Sequence, residues 1–221
     1  MEVPDLDLFK LMRKLAKARP LFHSEKDFRD SFGKSLARLY PDCFTIRYEA
    51  QGFYPGSEKV DILAVCRGLT LGIELKYKWV TVGDTSRLMH AGEQYQPPKS
   101  GAPDDITRFA FLDDIQRLES VTMNRSDVVG YAILLSNKHG LWSPPRYKEP
   151  NDLMFRIHGP TIGGRLIWKG NPAKKTLQAT GESITLRRVY NLEWRPYAQV
   201  RDARNGLFQY LAVRTGQNGD G

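Results

Sequence analysis

The chain has 221 residues, with 33 lysines and arginines against 25 aspartates and glutamates, and its formal net charge at pH 7 is +8. A chain of this length can bury a sizeable apolar core, and we expect a single domain. No apolar run approaches the roughly 18 residues of a membrane-spanning helix, so we expect no membrane partner. The positive charge favours nucleic acid as a partner, although an ordinary basic surface stays an alternative.

Cys43 and Cys66 are the two cysteines of the chain. They form neither a CxxC pair nor a Cys/His cluster, so their spacing indicates no zinc site and no disulfide framework. Free thiols are typical of reducing compartments, and the N-terminal MEVPDLDLF lacks the basic start and apolar core of a signal peptide. We therefore expect a cytoplasmic protein. The sequence leaves the oligomeric state open, including a homodimer.

Apolar residues at helical spacing predict two helices near the N-terminus. The first covers residues 5–18 and the second begins at Ser24, where Ser24 and Asp27 have the spacing of a capping box. Glu25 precedes the buried Phe28 by three residues, so its carboxylate is expected to project towards the sheet. A carboxylate that merely complements the helix dipole is the alternative for Glu25.

Residues 60–77, VDILAVCRGLTLGIELKY, are the stretch around which the chain is organised. They predict two apolar strands joined by a tight turn at Arg67 and Gly68, because glycine accepts the positive φ of such turns. An alternating strand over residues 43–50 and a turn rich in glycine and proline precede them.

A two-residue turn determines which side chains of these strands lie opposite each other. Cys66 then faces Leu69, and the same register places Asp61 directly opposite Glu74. Lys76 is two residues from Glu74, so both side chains lie on the same face of their strand.

Two opposed carboxylates repel each other, and an otherwise apolar hairpin that contains them needs a compensating cation. Lys76 supplies one positive charge, and a divalent metal such as Mg²⁺ or Mn²⁺, which prefers oxygen ligands, would supply more. The alternative is that Glu74-Leu75-Lys76 is an ordinary surface tripeptide on an edge strand. The apolar neighbours argue against that alternative; they include Ile62, Leu63, Val65, Leu71 and Ile73.

Twelve residues separate Asp61 from the tripeptide Glu74-Leu75-Lys76. This pattern resembles the PD-(D/E)XK signature of the restriction-endonuclease-like nuclease superfamily. The order of the surrounding elements is similar too: a helix with an acidic residue, a strand, the hairpin with the motif, a helix and a strand. The resemblance covers about residues 24–142. Val60 stands where the name of the motif has a proline.

The resemblance implies an α/β fold with a restriction-endonuclease-like mixed central β-sheet flanked by helices. It further implies that Asp61 and Glu74 bind Mg²⁺, with the backbone carbonyl of Leu75 as another ligand and Glu25 completing the metal site. Asp61, Glu74 and Lys76 are the implied catalytic residues. Lys76 would position the attacking water and stabilise charge, because neighbouring carboxylates oppose the low pKa that a lysine base needs.

Residues 82–104 break all periodicity, and a connection this long is usually functional or mobile. Arg87 and Lys99 are our candidates there for contacts with a substrate backbone. Residues 104–121 then predict a long helix, whose Arg108 and Gln116 are further candidates for substrate binding.

Residues 128–136 form a nearly continuous apolar run, which predicts a central strand covered on both faces. Short β-like pieces follow, and residues 206–213 fit either a strand or a helix. We expect one nuclease-like domain over residues 1–213, with its core at about 24–142 and a C-terminal β-rich extension at about 153–213. Residues 214–221 are expected to be a disordered tail.

The sequence therefore predicts a Mg²⁺-dependent nuclease, an endo- or exonuclease that hydrolyses phosphodiester bonds and acts on DNA in preference to RNA. A non-cleaving nucleic-acid-binding module on the same fold is the first competing hypothesis. Two more are a metal-independent enzyme with a carboxylate pair, such as a glycosidase, and a structural protein with a buried ion pair. A glycosidase explains neither Lys76 nor the basic charge.

Overall fold

The computed structural model describes residues 6–80, 82, 89–90, 93–95, 102–200 and 204–216. Two helices open the chain, α1 (Leu8–Ala18) and α2 (Glu25–Leu39). The hydroxyl of Ser24 accepts the backbone N–H of Asp27 at 3.1 Å, as the capping pattern predicts. α1 begins three residues later than expected, at Leu8, after Asp7 has capped it.

Three antiparallel strands follow: β1 (Thr45–Gln51), β2 (Lys59–Cys66) and β3 (Leu69–Lys78). The turn between β2 and β3 has positive φ at both Arg67 (45°) and Gly68 (89°), the backbone of a two-residue hairpin turn. Cys66 pairs with Leu69, so the predicted register is confirmed from this pair as far as Ile62 and Ile73. The predicted pair of Asp61 and Glu74 lies beyond the last paired residues of this ladder.

The middle of the chain holds two short strands, β4 (Met89–His90) and β5 (Glu93–Gln94), and then α3 (Asp104–Thr122) and β6 (Val128–Ser136). The bounds of α3 and β6 agree with the prediction to within one residue. β6 runs parallel to β3 and is buried along its whole length, because helices and strands cover both faces of the sheet there.

The C-terminal third contributes mostly strands. They and one short helix are β7 (Thr161–Ile167), α4 (Lys174–Thr180), β8 (Ser183–Asn191), β9 (Trp194–Gln199) and β10 (Leu207–Thr215). Residues 206–213 are thus strand rather than helix. Arg214 and Thr215 belong to β10, so the expected disorder from residue 214 is wrong for these two residues, which pair with β6.

The described residues form a mixed α/β fold with a six-stranded sheet in the order β1-β2-β3-β6-β10-β9, mostly antiparallel and flanked by four helices. β9 and β10, from the predicted C-terminal extension, complete the sheet that β1–β3 and β6 begin. β7 and β8 pair separately in a two-stranded sheet.

Apolar side chains fill both faces of the sheet. α1 and α2 pack on the face that carries Ile73 and Leu75, and α3 packs with β7 and β8 on the other face. Within the described parts of the chain, none of the helices has the length and apolar character needed to cross a membrane.

Cys43 and Cys66 form a disulfide with a Cα–Cα distance of 5.3 Å, so the prediction of two free thiols is wrong. The pairing of β1 with β2 brings the segment before β1 to the end of β2, and this proximity cannot be seen from cysteine spacing alone. The expectation of a reducing compartment rested on free thiols and loses that support.

Candidate functional site

Asp61 lies where β2 and β3 separate. The backbone ladder between these strands ends at the pair Ile62 and Ile73. Immediately beyond it, the Asp61 carboxylate takes the place of a backbone acceptor, because Leu75 N donates to Asp61 Oδ2 at 2.8 Å. This contact holds Asp61 against β3 beside Glu74.

Glu74 is buried, with 3% of its surface exposed. Its Oε1 accepts the hydroxyl of Tyr54 at 2.7 Å and lies 3.1 Å from Nη2 of Arg117. Burial raises the pKa of Glu74, and the nearby carboxylates of Asp114 and Asp61 raise it further, against the opposing effect of Arg117. Glu74 therefore holds a proton more tightly than an exposed glutamate does.

Lys76 points to the same face of β3 as Glu74, and its Nζ lies 2.9 Å from Oδ2 of Asp114. Burial by itself lowers the pKa of Lys76, but the Asp114, Glu25 and Glu74 carboxylates outweigh it and raise this pKa. Lys76 is therefore a permanent cation at neutral pH.

Asp114 and Arg117 on α3 complete this cluster, and sequence reasoning missed both. Asp114 is 2% exposed, and its Oδ1 lies 2.5 Å from Nη2 of Arg117, whose guanidinium also lies 4.7 Å from the ring centroid of Tyr54. One signal pointed to the pair: Asp114 interrupts the apolar stripe of Phe111 and Leu118, and Arg117 follows it by one helical turn.

Glu25 begins α2, and its Oε2 accepts the backbone N–H of Tyr77 at 2.9 Å. The expectation that this carboxylate reaches the sheet is confirmed. The contact places Glu25 next to Lys76, on the exposed side of the cluster.

Arg29 of α2 approaches Asp61 from the other side. Its Nη1 lies 2.6 Å from Oε1 of Glu49 and 3.7 Å from Oδ1 of Asp61, and 8% of the residue is exposed. Glu49 has a φ of 46°, which is rare for a residue with a side chain and costs on the order of 1–3 kcal/mol.

The four carboxylates of Glu25, Asp61, Glu74 and Asp114 influence one another electrostatically. The cations beside them are Lys76, Arg117 and Arg29. Carboxylate oxygens are hard donors, which suit Mg²⁺ or Mn²⁺. Across the described residues, however, no group of three or more His, Cys, Asp or Glu side chains is arranged to hold a metal ion. The chemistry of the donors fits such an ion, while Tyr54 and Arg117 already satisfy one oxygen of Glu74.

Of the predicted substrate-binding residues, Arg108 and Gln116 have their contacts away from this cluster. Arg108 is 3% exposed and forms a buried ion pair with Asp152, so the structure gives it a structural contact. Gln116 accepts the backbone N–H of Thr185 at 2.6 Å through its Oε1 and joins α3 to β8. Arg87 and Lys99 lie outside the described residues.

No protein-family model, curated protein or solved structure matches this chain. The function must therefore be inferred from the geometry and chemistry of the cluster around Asp61, Glu74 and Lys76.

Proposed function

We propose that this protein is a metal-dependent nuclease with a restriction-endonuclease-like fold, which hydrolyses phosphodiester bonds in nucleic acid and prefers DNA to RNA. One observation carries the proposal. The cluster where β2 and β3 separate contains three residues that the hairpin register predicts to meet, Asp61, Glu74 and Lys76. Two further carboxylates lie with them.

The order of elements supports the same proposal. The PD-(D/E)XK resemblance implies a certain order of helices and strands, and the chain has this order in α2, β1, β2, β3, α3 and β6. β3 and β6 are parallel neighbours in the sheet. The net charge of +8 is suited to a polyanionic substrate.

Asp61 and Glu74 would hold the metal ion, with the Leu75 carbonyl and Glu25 as additional ligands. When bound, a divalent ion of this kind lowers the pKa of a coordinated water and neutralises charge on the phosphate. Because the pKa of Glu74 is raised, a metal ion would have to displace a proton from this carboxylate, and its affinity should therefore increase with pH.

Lys76 contributes a fixed positive charge. Because its pKa is raised, it retains its proton at neutral pH and donates hydrogen bonds rather than accepting the proton of a water molecule. Asp114 holds the ammonium group in place at 2.9 Å. Lys76 therefore orients the attacking water and stabilises the charge that develops on the phosphate.

A non-cleaving nucleic-acid-binding module on the same fold is the second candidate. The ion pairs of Lys76 with Asp114 and of Arg117 with Glu74 favour it, because they stabilise both buried carboxylates without a metal. The two candidates differ in whether Mg²⁺ or Mn²⁺ produces cleavage.

The test is incubation with end-labelled single- and double-stranded DNA and RNA in Mg²⁺, Mn²⁺ or EDTA. We expect cleavage with metal alone, and a loss of at least about 100-fold in rate for Asp61→Asn and Lys76→Met. Affinity for nucleic acid in EDTA should stay within severalfold of the parent. Asp127→Asn, at an exposed position paired with Arg125, is the control and should cleave normally.

Equal cleavage by the parent and Asp61→Asn would contradict the assignment of the site. Binding by the parent without cleavage under any metal condition would identify the second candidate instead.

A further inference from the structure

A groove of about 410 Å³ lies between α2 and β1, the strand at one edge of the sheet. Its lining consists of Lys26, Arg29, Asp30, Lys34, Tyr48 and Glu49. We propose that this groove binds a single-stranded segment of nucleic acid next to the Asp61 cluster, with phosphates at the lysines and an unpaired base at Tyr48. The inference rests on the proposed function, since it assigns that function a substrate class.

The floor of the groove adjoins the site. Arg29 contacts Glu49 at 2.6 Å inside the groove and lies 3.7 Å from Asp61 Oδ1. The positive φ of Glu49 interrupts the alternation of β1, and Tyr48 and Glu49 consequently both line the groove. A strand lying in the groove would therefore pass beside Asp61.

The wall formed by α2 is suited to phosphates. Lys26 and Lys34 are eight residues apart on one face of the helix, which separates them by about 12 Å along its axis. Both are exposed, and among the described residues neither has an ion-pair partner, whereas Glu49 and Asp30 compensate Arg29. Two uncompensated ammonium groups provide point charges for a phosphate chain.

The wall formed by β1 is suited to an unpaired base. The ring of Tyr48 rests on α2 at Gly33, where an added Cβ would lie 2.4 Å from the Tyr48 hydroxyl. Gly33 thus allows the ring to lie against the helix, while 41% of the residue remains exposed. Aromatic side chains held in this way stack on bases that are free of a duplex, at about 1–3 kcal/mol per base.

The test measures binding by fluorescence anisotropy in EDTA, so that no cleavage occurs. The probes are labelled oligo-dT, oligo-rU and a DNA duplex of the same length, titrated at several salt concentrations. The variants are Lys26→Ala/Lys34→Ala, Tyr48→Leu and Tyr48→Phe. Lys174→Ala/Lys175→Ala is the matched control, because it removes the same charge from exposed positions on α4.

We expect Lys26→Ala/Lys34→Ala to weaken binding of at least one single-stranded probe about tenfold and to reduce the salt slope by about 1.4. Tyr48→Leu should weaken it about tenfold, and Tyr48→Phe should bind like the parent because the ring is retained. The control should stay within about twofold of the parent. The DNA and RNA probes show which of the two strands the groove accepts.

Unchanged affinity in the groove variants, an equal loss in the control, or tighter binding of the duplex than of both single strands would overturn the proposal. A parent that binds no probe would overturn it as well. Groove-dependent binding without cleavage in Mg²⁺ or Mn²⁺ would refute the nuclease proposal and leave the groove standing. Cleavage with an unchanged KM in the groove variants would support the nuclease proposal and refute the proposed role of the groove.

Discussion

Arg117 holds the buried carboxylates of the site together, and replacing it with methionine is a sensitive test of the cluster. Its Nη2 lies 3.1 Å from Glu74 and 2.5 Å from Asp114, which are 3% and 2% exposed. Methionine keeps most of the packing volume but leaves both carboxylates without this cation. Removing one partner of a buried ion pair costs about 3–5 kcal/mol, and we expect Arg117→Met to lower the free energy of unfolding by this amount at pH 9.

The free energy of unfolding that Arg117→Met loses should be larger at alkaline pH than at acidic pH. The pKa of Glu74 is raised in the folded protein, so the native state holds a proton that the unfolded state releases above its ordinary pKa of about 4.3. Such a group lowers stability as the pH rises. Arg117 opposes this rise in pKa, so Arg117→Met should be more sensitive to alkaline pH than the parent. Burial and its neighbours raise the pKa of Glu74 in the parent to about 8, so both proteins hold the proton at pH 5 and the parent releases it first as the pH rises past 8. The difference between the two proteins should be about 1 kcal/mol smaller at pH 5 than at pH 9.

The assay is urea unfolding followed by tryptophan fluorescence at both pH values, in EDTA. With a slope of about 2 kcal/mol per molar urea, the midpoint at pH 9 should fall by about 2 M. Arg125→Met is the matched control, because Arg125 and Asp127 form a half-exposed ion pair at 2.6 Å that contributes less than about 1 kcal/mol. Equal losses in the two variants, or a loss for Arg117→Met that is the same at pH 5 and pH 9, would refute this reasoning.

Two further predictions concern the frame around the site. The Cys43–Cys66 disulfide spans 23 residues, so Cys43→Ser/Cys66→Ser should lower the free energy of unfolding by about 3 kcal/mol in urea titrations. Dithiothreitol should destabilise the parent equally and the variant not at all; an indifferent parent would contradict the disulfide. The buried carboxylate of Glu119 accepts two β8 amides and the Tyr190 hydroxyl, so Glu119→Ala should cost about 3 kcal/mol in the same assay. Glu119→Gln keeps one acceptor oxygen and should cost less, and a loss below about 1 kcal/mol in the alanine variant would argue against this anchoring role.

The central hairpin shows how much local sequence can specify. A glycine-containing turn and alternating apolar residues determine the register of β2 and β3 as far as Ile62 and Ile73. Just beyond it, Asp61 accepts the backbone N–H of Leu75, next to Glu74. The bounds of α3 follow from a helical apolar stripe and those of β6 from a continuous apolar run. These features depend on residues that are neighbours in the chain, which is why they could be predicted.

The residues that were missed belong to contacts between distant elements. Arg117 reaches Glu74 only because α3 packs across β3, and Tyr54 reaches it from the turn before β2. The buried contact of Arg108 was missed for a related reason, since its partner Asp152 lies 44 residues further along the chain. Nothing in the periodicity of a single helix reveals such a partner.

The sequence by itself determined α1 to α3, the hairpin register and the three residues on which the nuclease proposal depends, because turn chemistry and apolar periodicity act over a few residues. Only the tertiary structure decided that β9 and β10 complete the sheet, that the two cysteines meet, and that α3 adds Asp114 and Arg117 to the site. These contacts result from the order of strands and the packing of helices on them, and both are set by the burial of apolar surface over the whole chain.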